Sequence, residues 1–478
     1  MKLPLDISSC HAIIKQQSSQ IEECLKLILS LEQKQKELEV RLNQNSKNSS
    51  KPPSKDGFKK PKSKSRAAFP GTKGGKQGGQ FGHNGKTLEM VEVPDQVIQL
   101  VPEKCDCGHV FSKEELDEAF LKQKRQVFDL PTPKLDVYEY QQLSCQCPSC
   151  NTQVAGIFPD QVNSRVQYGT GAKALMVLLN MGYHLPVNKI KSLFSDLFGY
   201  PVNEATIQSA TSLCYTKLES SQQAIQTHLE QQAVVHLDET GIGVNGKLHW
   251  LHTCSSTCFT YLFTHAKRGT KALEDTASMI NRLTNYVIHD CWKSYFKYEN
   301  CQHGLCGAHI VRELVGLDQN GTLWANWFRR FLLVILALTK ENGGVLTKKQ
   351  QKRVTRMYRQ IWKYADQIEP KPKKIPHKRG RPKASKGRNL LTRLDQHQDA
   401  LLAFAFHKQV PFTNNQAERD LRPIKTKLKV SGCFRTSLGA ERYARIFSFI
   451  STARKQQVNI FQELKNALNG YTFLTTKP

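Results

Sequence analysis

No apolar run in this chain is long enough to cross a bilayer. The longest, Phe331–Leu338, falls far short of the roughly 20 residues that a spanning helix needs, and Arg329 and Arg330 precede it. No apolar signal-peptide core follows Met1, so neither secretion nor membrane insertion is expected. Acidic residues are scarce: 41 Asp and Glu stand against 69 Lys and Arg, a formal net charge of +28. The alternative to a polyanionic partner is a well-solvated basic surface. A surplus this large, concentrated in local runs, favours nucleic acid, because neutralising phosphates releases counterions. The 14 cysteines have no secreted-scaffold spacing, so they read as reduced thiols with one group on a metal. What remains is ample for folding: 478 residues at 39% hydrophobic content support about three domains with real cores.

The chemistry concentrates in three stretches. Ala233–Leu237 is a Val-rich run ending on Asp238, and Lys247–Thr253 and Phe259–Thr264 follow across Gly- and Ser-containing turns, which predicts three antiparallel strands. Tyr286–Asp290 repeats the pattern of a buried strand ending on an acid. In Thr413–Lys429, Asn residues offer helix N-caps, and Glu418, Arg422 and Lys425 fall at i, i+4 and i+7 on one predicted helical face. Asp238, Asp290 and Glu418 form a hard-oxygen set that repels itself unless cations neutralise it, which suits Mg²⁺ or Mn²⁺. Glu239 is the rival metal-binding acid, but strand alternation sends it to the face opposite Asp238. Glu418 has a structural rival role as the return partner of a capping box begun by Asn415. The run of Arg419, Arg422, Lys425, Lys427 and Lys429 behind it favours an acid held against DNA. Cys306 and His309 share one helical face, and two ligands alone make a poor zinc site. They read as residues supporting the metal ligands or as a structural pair, with Arg312 one step on as a phosphate contact.

Elsewhere the sequence is modular. Ile14, Ile21, Ile28 and Leu42 recur in sevens, with Gln35 in the gap and Cys24, Leu31 and Leu38 at the offset position; this is a short coiled-coil seam suited to a homodimer. Residues 45–86 lose periodicity, and ten basic side chains with only Asp56 acidic lie between Lys47 and Lys76. Cys105, Cys107, Cys147 and Cys150 look like two knuckles of a zinc ribbon, with Cys145 and His109 as spare ligands. From Tyr168 to Leu218 two helices flank a Gly199–Tyr200–Pro201 break, a pattern that fits a DNA-reading helix-turn-helix and a plain helical buttress equally. Lys267, Arg268 and Lys293 lie in loops beside the acids as candidate DNA contacts. Arg379 and Arg381 sit in a loop with nine cations and no acid between Lys371 and Arg388, where they bind phosphate or enter a minor groove.

These blocks resemble the DDE transposases of the insertion-sequence sixty-six type over nearly the whole chain. The matching stretches are NSKNSSKPPSKD at 45–56, GGQFGHNGKTL at 78–88, HLDETG at 236–241, HWLH at 249–252, HDCWKSYF at 289–296, CGAHIVREL at 306–314, FTNNQAERDLR at 412–422 and SGCFRT at 431–436. The resemblance implies an α/β multidomain protein whose ribonuclease-H-like, mixed-sheet core is interrupted by a helical insertion. It also implies a catalytic triad on Asp238, Asp290 and Glu418 and a Cys-x-x-His signature on Cys306 and His309. Expected boundaries are a coiled coil at 1–45, a basic linker at 46–100, a zinc ribbon at 101–160, a helical DNA-binding segment at 161–230, the first core part at 231–315, the insertion at 316–410 and the C-terminal core helices at 411–478. The implied partners are element-end and target DNA, a second copy of the chain and accessory proteins of the same element; the implied place is the bacterial cytoplasm, at the nucleoid. A nuclease without strand transfer and an inactive DNA-binding regulator are the competing readings. If the cysteine reading holds, purified protein carries about one zinc per chain; elemental analysis of a Cys147→Ser/Cys150→Ser variant should show that metal lost.

Overall fold

The computed structural model describes residues 6–45, 48–49, 88–372 and 384–475. The chain divides into two compact units, residues 59–141 and the remainder. In the smaller unit, Cys105 and His109 close a tight loop, with the Cys105 N–H donating to the His109 carbonyl at 2.8 Å and Gly108 at a positive φ of 95°. A one-turn helix, Lys113–Asp117, follows with a Ser112–Glu115 capping box, and His109 Nε2 lies 3.1 Å from Glu115 Oε2.

The larger unit begins with α1 (Ile7–Leu42), where Ile14, Ile21, Ile28, Leu31 and Leu38 are all exposed. A small hairpin pairs Ser144–Gln146 with Gln153–Ala155, and Cys147 and Cys150 occupy its turn. Then come α2 (Thr170–Val177), α3 (Val187–Phe198), α4 (Glu204–Lys217) and α5 (Glu219–Glu230). Ala174 and Val177 of α2 and Ala210 and Cys214 of α4 pack into the core that also holds the last helices of the chain, so this pair is bound to the body of the unit.

The central sheet has five strands: β1 (Val234–Val244), β2 (Lys247–Ser255), β3 (Thr260–His265), β4 (Tyr286–His289) and β5 (Gln302–Leu305). They lie in the order β3-β2-β1-β4-β5, the first three antiparallel and the last three parallel. Asn245 and Gly246, both at positive φ, make the two-residue turn between β1 and β2, the conformation Asn-Gly supplies most easily. β1 is longer than the run ending at Asp238 suggests. Its antiparallel pairing continues to Val244↔Lys247, while its parallel partner β4 stops at His289. Asp238 therefore lies inside a strand, just past the point where one neighbour ends.

Between β5 and the last acid run α6 (Gly307–Asp318), α7 (Leu323–Glu341), α8 (Lys348–Ile368), α9 (Lys386–Gln396) and α10 (Gln398–Phe406). They share a core with Ile288 and Leu305 of the sheet. The final elements are α11 (Asn415–Asp420), α12 (Arg422–Ser431), α13 (Ser437–Lys455) and α14 (Ile460–Leu468). The expected single helical face carrying Glu418, Arg422 and Lys425 does not form. Pro423 lacks an N–H and crowds the preceding turn, so α11 stops at Asp420 and a new helix begins. α13 covers the free edge of β3: the Leu262 N–H donates to Ser448 Oγ at 2.8 Å and the Thr260 N–H to Thr452 Oγ1 at 3.0 Å, satisfying amides that an edge strand leaves open. Among the described residues, no helix is long and apolar enough to cross a membrane.

One ion pair ties α13 to α11. Lys455 Nζ lies 2.7 Å from Asp420 Oδ2 and also donates to the carbonyls of Ser256 and Phe259; the two side chains are 12% and 6% exposed. Removing one member strands a buried charge, so Lys455→Met should destabilise the protein by about 3–5 kcal/mol. A calorimetric melt should show a lower Tm, and replacing Asp420 by Leu in the same chain should recover much of it.

Candidate active site

Three segments meet where β1 outruns β4. β1 supplies Asp238, the residue after β4 is Asp290, and α11 supplies Glu418. Two close approaches allow the third segment to reach the sheet. The Gly307 N–H donates to the Phe412 carbonyl at 2.8 Å, and any side chain on Gly307 would collide with the Phe412 ring. Asn414, 2% exposed, does the rest. Its Nδ2 donates to the Leu237 carbonyl at 2.8 Å, its Oδ1 lies 2.8 Å from His236 Nδ1, and its backbone N–H donates to Cys306 Sγ at 3.2 Å. Asn414 is also the N-cap of α11, with no side-chain cap bond, so the rival reading of Glu418 as the return partner of a capping box begun by Asn415 does not hold. The Asn414 amide is engaged by the sheet instead.

The acids feel one another. Burial pushes the Asp238 carboxyl well above its ordinary range, and the charges of Glu239, Asp290 and Glu418 add to the shift. Asp290 is raised by burial and then by Glu239, partly offset by His309 and by the Trp292 N–H, which donates to it at 3.0 Å. Glu418 Oε1 is buried with no hydrogen-bond partner, 3.8 Å from His309 Nε2 and 3.7 Å from an Arg312 terminal nitrogen. His309 Nδ1 is likewise buried and unpartnered, and burial followed by the Arg312 charge lowers its pKa, keeping the ring neutral.

Such a set fits a cation. Ligand atoms of Cys306, His309 and Glu418 lie within 4.8 Å of one another. Burial raises the Cys306 thiol, and its sulfur accepts the Asn414 N–H, so it is a poor thiolate ligand and a good latch. The carboxylates of Asp238, Asp290 and Glu418, one with an orphaned buried oxygen, are the donors that suit a hard divalent ion.

Glu239 occupies the opposite face, with Val235 and Leu237. Its side chain is 1% exposed, and Arg268 contacts its Oε1 through Nε at 2.7 Å and a terminal nitrogen at 2.6 Å, while Tyr295 donates to Oε2 at 2.5 Å. The Arg268 guanidinium also lies 5.0 Å from the Trp250 ring centre and 4.5 Å from that of Trp292. Arg268, read from sequence as a DNA contact, is thus held by Glu239 and two indoles. Lys267, Lys293, Arg419, Arg422 and Lys425 are exposed, whereas Lys427 turns inward over Phe434 and Tyr443. Arg379 and Arg381 lie outside the described residues. Sequence reasoning missed Asn414, Tyr295 and the Asp420–Lys455 pair; the paired asparagines of the TNNQAE stretch were the available signal for the first.

The raised Asp238 pKa carries a sign. An acid whose folded pKa exceeds its unfolded value binds more protons when folded, so metal-free stability falls as pH rises through that window. Asp238→Asn removes the penalty. The metal-free variant should melt above the metal-free wild type at pH 7, and it should lose the rise in Tm that Mg²⁺ or Mn²⁺ gives the wild type.

No curated protein matches the chain. Residues 11–89 match a family of unknown function, DUF6444. Residues 165–442, more than half of the chain and spanning all three acids, match the model described as Transposase IS66 family. The chain therefore belongs to the IS66 family of transposases.

Proposed function

We propose that this transposase cuts DNA at the ends of its element and joins the freed 3′-hydroxyl to target DNA, with Asp238, Asp290 and Glu418 as the metal-holding acids. The observation that carries the reading is the gathering of three half-buried carboxylates from separate elements, close enough that the charges of Asp290 and Glu418 both raise the pKa of Asp238. The strand order, three antiparallel strands followed by two parallel ones, supports a ribonuclease-H-like core, with α6–α10 as its helical insertion.

When bound, divalent ions would activate the attacking oxygen and stabilise the leaving one in a phosphodiester displacement. The chain's own residues set the stage. Asp238 and Asp290 present oxygens from the sheet, and Glu418 presents its own from α11. His309, neutral, and Arg312, cationic, flank Glu418 and orient it. Arg268 and Tyr295 hold the Glu239 carboxylate on the other face, from where its charge still raises the pKa of Asp238 and Asp290. Exposed Arg419, Arg422 and Lys425 follow on the same side of the sequence as Glu418 and would meet phosphates. No covalent protein–DNA intermediate is required. Further parts of the proposal are α1 as a dimerising coiled coil, zinc on Cys105, Cys107, Cys147 and Cys150, and α2–α5 as a helical module beside DNA.

The test uses purified protein, Mg²⁺ and a labelled duplex carrying the element's end. Wild type should nick and join, whereas Asp290→Ala should bind the duplex normally and lose both reactions by about 10³-fold or more, equivalent to several kcal/mol of transition-state stabilisation. Retained cleavage in the variant would remove Asp290 from the chemistry. Cleavage without joining by the wild type would instead point to a nuclease.

A further inference from the structure

The helices between β5 and α11 carry a basic face that the catalytic reading leaves unused. α8 is 21 residues long, and its inward stripe of Val354, Tyr358 and Ala365 sits in the helical core. On the opposite side Lys349, Lys352, Arg353, Arg356 and Lys363 are exposed. Their spacing of i, i+3, i+4, i+7 and i+14 places them on one face, and no acid occurs between Lys348 and Ala365. The strip is about 21 Å long at 1.5 Å per residue. That matches about six base pairs of duplex at 3.4 Å each.

A merely solvated helix face usually mixes signs, because like charges one turn apart repel. α1 shows the ordinary pattern, with Glu22 and Lys26 paired at i, i+4. Around α8 three acids are already engaged elsewhere: Asp395 by Arg359, Asp366 by Arg388 and Lys371, and Glu313 by Arg393. Among the described residues, none of the five cations of the strip has an ion-pair partner. At its C-terminal end an aromatic pair is left in solvent. Tyr364, 38% exposed, stacks on Trp327 of α7, 49% exposed, with centroids 5.0 Å apart. Lysine is depleted from protein–protein interfaces, so a Lys- and Arg-only strip bordered by stacked rings fits nucleic acid better than an acidic protein.

We infer that the outward face of α8 is a second DNA-docking surface, which holds duplex DNA through its phosphates without reading sequence and is distinct from the cations beside Glu418. This rests on the proposal that the chain works on DNA. The face is tied to α6, the helix that also carries His309 and Arg312, through α9: Arg359 of α8 pairs with Asp395 of α9, and Arg393 of α9 with Glu313 of α6.

The experiment is a salt titration of full-length protein binding a random-sequence duplex of about 30 base pairs, comparing wild type with the triple variant Lys352→Gln/Arg353→Gln/Arg356→Gln. Three lost phosphate contacts should flatten the slope of log K against log salt concentration by about 2.7, at about 0.9 per contact. Tm and helix content should be unchanged, since the three side chains are exposed. The charge-preserving variant Lys352→Arg/Arg353→Lys/Arg356→Lys should keep the wild-type slope. A triple variant with unaltered slope and affinity overturns the inference, as does a loss confined to the element's own end sequence. In either case Asp290→Ala, scored for cleavage and joining, still reports separately on the catalytic proposal. A wild type that binds no duplex would sink both.

Discussion

The site depends on one buried side chain. Asn414 touches β1 through the Leu237 carbonyl and the His236 ring, and its own N–H reaches the Cys306 sulfur at the start of α6. These contacts fix three chain segments around a single amide. Asp238 is the residue after Leu237, His309 is one helical turn beyond Cys306, and Glu418 is one turn beyond Asn414. An amide suits the task because it donates and accepts at once and carries no charge. A carboxylate in its place would add to the repulsion beside Asp238, and an apolar residue would strand the Leu237 carbonyl and the His236 ring in a dry interior.

Around that latch the protein manages an excess of negative charge. Five carboxylates lie close together around β1, yet they are treated differently. Glu239 is neutralised within the protein by Arg268 and Tyr295, with the guanidinium set against two indole rings. Asp420 is neutralised by Lys455 on α13. Asp238, Asp290 and Glu418 have only partial compensation, and one Glu418 oxygen has no hydrogen-bond partner. A protein able to pair Glu239 and Asp420 so completely leaves the other three only partly compensated where a divalent ion would complete the balance.

The helices from α6 to α10 are more than a spacer between the second acid and the third. They share a core with β4 and β5, so the position of Asp290 and the position of the basic α8 face are set by the same packing. Arg393, Glu313 and the α6 N-terminus link that core to the residues flanking Glu418. A duplex held on α8 would thus be referred to the acid cluster through packed helices. α1, in contrast, exposes its apolar residues, those at the heptad positions included.

The sequence by itself determined the acid elements, the strand character of residues 233–265 and 286–290, the helical runs at 307–314 and 321–369 and the basic surplus. Each is written in local periodicity or composition, which a single pass along the chain can read. It also separated Asp238 from Glu239, because alternation along a strand is a local rule. Only the tertiary structure decided that Asp238 lies within β1, since the strand is carried past it by pairing with β2 while β4, a partner some fifty residues away, has already ended. It alone decided that the Asn414 side chain latches β1 while its backbone caps α11, that Arg268 belongs to Glu239 and that Lys455 neutralises Asp420. These contacts join residues up to 178 positions apart, and the pattern around each position is compatible with an ordinary cap or a solvated charge. Local sequence specifies which face a side chain takes; the identity of its distant partner emerges only once the faces are packed.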